Sequence, residues 1–99
     1  MSSGEMSAQQ VVALARRLKA TTYFAPLAAA EEEASTTANA VSDILQAAWK
    51  LQNEILPTLL DESSSAGDLN DAMLDFGEEL RHILYHVRDA KFFSYLLEE

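Results

Sequence analysis

The chain has 99 residues, of which 48% are hydrophobic, with no cysteine, three glycines and two prolines, a composition typical of one compact soluble domain. The lack of cysteine excludes a disulfide framework, a thiolate zinc site and a cysteine nucleophile. There are 16 acidic and seven basic residues, and a net charge of -9 would repel a phosphate backbone, so we expect no direct binding of nucleic acid.

The first residues lack the features of a secretory leader. Residues 1–6 carry no basic flank and no unbroken apolar stretch. No apolar run in the chain approaches the ~18 residues that a membrane span requires. We therefore expect a cytoplasmic protein that binds no membrane, with residues 1–6 disordered.

The first predicted helix covers residues 7–20. Ser7 can cap the free backbone N–H groups at its start, and Gln10 can reach back to complete a capping box. The β-branched and aromatic residues at 21–24 lower helix propensity, and Pro26 disfavours helical geometry at the residue before it. We expect a break near residues 21–25.

The second predicted helix covers residues 26–57. Pro26 suits the first turn of a helix, and three acidic residues at 31–33 lie close to the positive end of its dipole. Apolar or small residues then repeat at alternating steps of three and four, which forms one stripe: Ala34, Thr37, Val41, Ile44, Ala48, Leu51 and Ile55. Because Pro57 has no N–H to donate, the helix must kink or end there.

The third predicted helix covers residues 68–97, after a loop over 61–67, with Asp68 as its cap. Its apolar residues keep the same spacing: Leu69, Met73, Phe76, Leu80, Ile83, Val87, Ala90 and Leu97. Gly77 interrupts this helix at a cost of ~1 kcal/mol relative to alanine, which suggests a close helix contact at that level.

Together these elements predict an all-α fold in a single domain of residues 7–99, with a short N-terminal helix and a long antiparallel helical hairpin. Two helices of roughly 30 residues would each be about 45 Å long, whereas a compact domain of this length has a radius of gyration near 13 Å. The hairpin leaves one side of both apolar stripes open to water, and a second copy can cover it. We therefore predict a homodimer that completes a four-helix bundle.

The residues best suited to metal binding are Glu79, His82 and His86, which steps of three and four place on one flank of the third helix. Glu79 and His82 have the local form of the Glu-x-x-His pairs in helical di-iron proteins. A helical wheel turns Asp43 and Glu54 of the second helix away from its apolar stripe, so we expect the further carboxylates of such a site to be missing. The favoured interpretation is an ion-paired flank without a cofactor, with His82 exposed and His86 beside the core.

The C-terminal segment is rich in aromatic residues. At 100° per residue, these side chains spread around the whole helix, so no single neighbouring helix can cover all of them. Either the first helix and the break at Tyr23 and Phe24 cover this end within the chain, or the end forms an interface. The predicted dimer or partner interface consists of aromatic and apolar anchors: Trp49, Phe92, Phe93, Tyr95 and Leu96.

No catalytic motif accompanies these features, since the chain has neither a Gly-rich phosphate loop nor a nucleophile motif. We therefore predict a non-enzymatic regulatory or interaction protein of the adaptor, antiactivator or immunity type. It acts as a homodimer on a protein partner, and a partner with a basic surface is one option. Two alternatives stay open. One is a metal-binding helical bundle, and the other is an acidic mimic of nucleic acid with a face of regularly spaced carboxylates: Glu54, Asp68, Asp71, Asp75, Glu78 and Glu79.

Overall fold

The computed structural model describes residues 6–97, with the exception of the side chains of Tyr95 and Leu97. All regular structure in this range is helical, which confirms the all-α prediction. No helix in the same range combines the length and the hydropathy that a membrane crossing requires. The predicted disordered segment lies outside the described residues, apart from Met6, whose backbone N–H donates to Ser42 Oγ at 3.1 Å.

Helix α1 spans Ala8–Lys19 and begins with the predicted capping box. Ser7 Oγ accepts a hydrogen bond from the Gln10 backbone N–H at 3.1 Å, and Gln10 Oε1 accepts one from the Ser7 backbone N–H at 2.9 Å. None of the residues of α1 is fully buried. This helix therefore depends on its cap and on contacts with one neighbour.

Helix α2 spans Ala30–Lys50, so it begins four residues after the predicted start at Pro26. The chain from Ala20 to Ala29 instead forms successive turns, in which the N–H of Leu27 donates to Phe24 O and the N–H of Ala30 donates to Leu27 O. These turns bury the side chain of Phe24, which is 1% exposed. Burial of this ring outweighs the local preference of a proline for the first helical turn.

At Pro57 the chain neither ends its helix nor continues it as a regular α-helix. A π-helical turn spans Leu51–Ile55, where the N–H of Leu56 donates to Leu51 O five residues back. A short helix α3 follows at Leu56–Leu60. Proline has no N–H and its ring crowds the carbonyl four residues before it, and widening the preceding turn accommodates both effects without ending the helix.

Helix α4 spans Ala66–Asp89, whereas the sequence predicts residues 68–97. Its cap is Ser65 and not Asp68, although Asp68 completes the capping box by accepting the Ser65 backbone N–H at 3.1 Å. The helix ends where Ala90 turns into an extended conformation, and a 3₁₀ segment follows at Lys91–Leu97. A Cβ added at Gly77 would meet no atom within 4 Å, so the expected close contact is absent from the described chain.

The helices lie in a single layer. α1 packs against one side of α2 and α4 against the other, and within the described residues α1 and α4 do not contact each other. The molecule measures 54 × 37 × 15 Å, so it is thin compared with its length and its width. Its radius of gyration of 16.6 Å exceeds the ~13 Å of a compact domain of this length. The buried residues are mostly small and lie along α2, which forms the middle of the layer.

Candidate functional site

A ladder of ion pairs joins α2 to α4 and the segment after it. Glu33 pairs with Lys91 at 3.5 Å, and further along α2 Lys50 pairs with Glu79 at 3.6 Å. Residue numbers rise along α2 as those of their partners fall, so the two chain segments run antiparallel. This register places Asp43 of α2 opposite His86 of α4, where Asp43 Oδ2 lies 3.2 Å from His86 Nε2.

Both histidines of the chain meet at this level of the ladder. His82 Nε2 lies 3.0 Å from His86 Nε2, with the two rings edge to face at 4.7 Å between centroids. One ligand atom from each of Asp43, His82 and His86 lies within 4.8 Å of the others. The side chain of His82 is 45% exposed and that of His86 is 12% exposed, as the helical wheel predicts.

Glu79, the third residue of the predicted metal cluster, does not lie with the two Nε2 atoms. Its carboxylate is on the other side of His82, with Oε1 4.0 Å from His82 Nδ1 and Oε2 3.6 Å from Lys50 Nζ. Asp43 takes its place beside the histidines, although the wheel of the second helix turns it away from the apolar stripe. Sequence reasoning missed Asp43 because α4 packs against the polar edge of that stripe, and only the register between the helices reveals this contact.

The predicted interface residues fall into two groups. Phe92 contacts the turns before α2, with centroid distances of 5.1 Å to Tyr23 and 5.8 Å to Phe24, and Phe93 is half-buried beside it. Leu96 is exposed and the side chain of Tyr95 is outside the described residues. The partly buried Trp49 lies near the other end of α2. The turns at Tyr23 and Phe24 thus cover part of the aromatic segment within the chain, without contribution from α1.

One flank of α4 exposes large apolar side chains. These residues recur at steps of four and seven, which places them on one side of the helix: Leu69, Met73, Leu80 and Leu84. The opposite flank carries His82 together with acidic residues: Asp68, Asp71, Asp75, Glu78 and Asp89. Because the ladder to α2 lies between these flanks, the layer has an apolar face and an acidic face.

The acidic face includes a shallow groove near the start of α4. Its lining contains the acidic residues Glu54, Asp68, Asp71 and Asp75. Four of the six carboxylates that the nucleic-acid mimic hypothesis names thus lie around one groove. Glu78 instead pairs with Arg81 at 2.6 Å, and Glu79 belongs to the ladder with Lys50.

The resolved shifts in pKa belong to three exposed groups, the side chains of Glu31, Asp61 and Arg81. A hydrogen bond from Lys19 Nζ at 2.8 Å, together with its charge, lowers the pKa of Glu31 below the ordinary value of 4.5. Since the folded-state pKa is the lower one, the pair stabilises the fold above pH 4.5 and this contribution disappears as the pH falls through the folded-state value. Both side chains are exposed, so the contribution is small.

Comparison with known proteins reveals no relative. No protein-family model matches the chain, and neither a curated protein nor a solved structure matches it.

Proposed function

We propose that the chain is a non-enzymatic regulatory protein of the cytoplasm that dimerises through its apolar face and binds a protein partner through its acidic face. The observation that carries this proposal is the single layer of helices. A layer one helix thick leaves both sides of α2 and α4 without a covering element, and one of these sides is apolar. A second copy is the occupant that we propose for this side.

The apolar face has the composition of a helix-packing surface. Met73 is 55% exposed, Leu80 is 48% exposed and Leu45 of α2 is 46% exposed. Large apolar patches of this kind are rare on monomers and mark association sites. In a compact bundle these side chains would contact another pair of helices at an interaxial distance of about 8–10 Å.

The exposed area is also large enough for a stable dimer. The chain exposes 6992 Å², against about 5,600 Å² for a compact monomer of its mass. The excess of about 1,400 Å² is spread over the whole surface of a thin molecule, and the ~800 Å² per partner that a standard protein interface buries fits within it. Stacking two antiparallel hairpins face to face would produce the four-helix bundle that the sequence predicts.

The aromatic end has a secondary place in this assembly. Phe92, Phe93 and Leu96 lie in the 3₁₀ segment beyond the end of α4, and Trp49 lies towards the opposite end of α2. We keep these residues, together with Tyr95, as candidate anchors of the dimer or partner interface, since aromatic side chains often dominate interface energies. Because Tyr23 and Phe24 already contact Phe92, we expect the centre of the dimer contact to lie on α4.

The acidic face remains available for a partner when the apolar faces are paired. It carries the carboxylates of Asp68, Asp71, Asp75 and Asp89 on a protein of net charge -9. Such a surface favours a protein with a complementary basic patch and repels nucleic acid. An adaptor, antiactivator or immunity protein would use a surface of this kind to capture its target.

Two adjacent residues of α4 provide a matched test of the dimer. Met73 lies at the centre of the apolar face, while Leu74 is 62% exposed on the outer edge of α4, about 100° around the helix. We expect wild-type protein and Leu74→Glu to have the mass of a dimer in light scattering coupled to size exclusion. We expect Met73→Glu to be a helical monomer, because a carboxylate at the centre of an apolar interface loses its hydration.

Circular dichroism shows whether each variant keeps its helices. A wild-type monomer at micromolar to millimolar concentrations would reject the proposed dimer. A dimer that survives Met73→Glu but not Leu74→Glu would place the contact on the outer edge of α4 and would reject the apolar face as the interface.

A further inference from the structure

We propose that Asp43, His82 and His86 form a site for one divalent transition-metal ion, with zinc as the probe of choice and with at least one coordination position open to water or to an external ligand. The site is on the acidic face, on the opposite side of the layer from the apolar face. It uses residues of a single chain and does not depend on the proposed dimer.

Three potential ligand atoms converge at this point. His86 Nε2 lies 3.0 Å from His82 Nε2 and 3.2 Å from Asp43 Oδ2. In a tetrahedral zinc site with bonds of about 2.0–2.1 Å, neighbouring ligand atoms are about 3.3–3.4 Å apart. These two separations are close to that value, and the third, between ligand atoms of His82 and Asp43, is within 4.8 Å. Rotation of the half-exposed His82 and Asp43 side chains towards each other would provide the coordination geometry.

The hydrogen-bonding capacity of the cluster also favours a cation. A neutral imidazole has one N–H donor and one nitrogen lone pair, and an ionised carboxylate only accepts. His86 Nε2 faces both His82 Nε2 and Asp43 Oδ2, yet it can carry only one proton. A metal ion between the three atoms would accept a lone pair from each and would relieve the competition between the two contacts.

The ligands are held on two packed helices. His82 and His86 are four residues apart on α4, the spacing that places two imidazoles on one face for zinc in helical His-x-x-x-His sites. Asp43 projects from α2, and the pairs Lys50 with Glu79 and Glu33 with Lys91 flank it on both sides in the same antiparallel register. The half-exposed side chains of His82 and Asp43 leave the site open to ions from solvent.

Glu79 has the place of a positioning residue in this site. Its carboxylate faces the other ring nitrogen of His82, with Oε1 4.0 Å from Nδ1, and its side chain is 18% exposed. The separation of 4.0 Å is longer than a hydrogen bond, but when a metal draws the Nε2 lone pair of His82, a small movement of the Glu79 side chain would let its carboxylate accept the proton on Nδ1 and hold that tautomer. The Glu-x-x-His pair in the sequence therefore contributes one ligand and one positioning group, in place of two ligands.

The decisive experiment is a zinc titration of tag-free protein, first stripped of metal with a chelator that is then removed. We expect isothermal titration calorimetry to show one zinc ion for each chain. We expect Co²⁺ to give the visible absorption bands of a low-symmetry site with nitrogen and oxygen ligands. No binding, or one ion shared by two chains, would overturn the site within one chain.

Variants assign the ligands. We expect His82→Ala and Asp43→Asn each to lose at least tenfold in zinc affinity, while Asp75→Asn, the same change at another acidic residue of this face, keeps wild-type affinity. Equal affinity of Asp43→Asn and wild type would overturn the three-ligand site, even if the histidines still bound zinc. Asp43→Asn is nearly isosteric, so the test does not depend on whether His82→Ala folds.

Glu79→Gln separates positioning from ligation. We expect about 10–100-fold weaker zinc binding with the stoichiometry and the Co²⁺ spectrum of the wild type, because the first coordination sphere is unchanged. A Co²⁺ spectrum altered to that of a site with fewer ligands would instead make Glu79 a ligand and overturn the assignment. Met73→Glu keeps all of these residues, so it should bind zinc normally whether or not the protein dimerises.

Discussion

At the residue scale, α2 contains a buried hydroxyl that has no partner. Thr37 is 3% exposed and belongs to the stripe that the sequence marks as apolar. Its Oγ1 finds no hydrogen-bond acceptor or donor within the described residues. A buried polar group without a partner costs roughly 1–3 kcal/mol, so this position lowers the stability of the helix layer.

Replacing this hydroxyl by a methyl group should stabilise the protein. We expect Thr37→Val to raise the free energy of unfolding by about 1 kcal/mol, because the shape is kept and the desolvation cost disappears. Urea unfolding followed by circular dichroism measures the change. The control is Thr36→Val at the neighbouring half-buried position, which should change stability by less than ~0.5 kcal/mol. A less stable Thr37→Val protein would show that the hydroxyl has a partner, such as a bound water.

The candidate metal residues show which part of a site a sequence can reveal. Spacing along one helix identifies Glu79, His82 and His86 as neighbours. In the structure His82 lies between the other two side chains and faces both of them. The carboxylate that meets the two imidazoles belongs to Asp43, 39 residues before His82 in the chain. No local pattern links these positions, because their contact depends on the register between two helices.

At the scale of elements, capping and proline chemistry explain most helix ends. The capping box at Ser7 is confirmed, and the start of α4 differs from the prediction because Ser65 and Asp68 act together. Ser65 accepts the N–H of Asp68 at 3.0 Å, and Asp68 accepts the N–H of Ser65. The sequence contains this pair, but the three consecutive serines at 63–65 do not by themselves show which one caps the helix.

The cap of α4 leads to a prediction about stability. We expect Ser65→Ala to lower the free energy of unfolding by about 1 kcal/mol, because the backbone N–H of Asp68 loses its acceptor and alanine provides no replacement. Ser35→Ala serves as a control in the exposed interior of α2, where the higher helix propensity of alanine should raise stability slightly. Thermal unfolding of both variants and of the wild type measures these changes in stability. Equal stability of Ser65→Ala and wild type would mean that another residue caps α4.

At the scale of the whole molecule, the composition is ordinary, but the shape is more extended than that of a compact domain of this length. A chain with 48% hydrophobic residues could form a compact bundle, yet α1 and α4 lie on opposite sides of α2. The turns at residues 20–29 send the chain from α1 into α2 so that the two pack side by side. The layer therefore buries small residues at its helix contacts and exposes larger ones on its apolar face.

The proposed dimer predicts a melting temperature that depends on protein concentration. Dissociation accompanies unfolding of an obligate dimer, so mass action should raise the midpoint by about 3–6 °C for each tenfold increase in concentration. We expect this dependence in wild-type protein and in Leu74→Glu, and a constant midpoint in Met73→Glu. Differential scanning calorimetry at three concentrations provides the measurement. A constant wild-type midpoint would argue that the folded chain is a stable monomer.

The helical class, the capping box of α1 and the flank that carries both histidines follow from the sequence, because each depends on residues within a few turns of one another. The start of α2, the path of the chain past Pro57, the end of α4 and the carboxylate that meets the histidines instead depend on how the helices pack. The burial of Phe24 against Phe92 and the register of α2 on α4 are contacts between distant segments. Their energies outweigh local helix preferences, and no periodicity in the sequence encodes them.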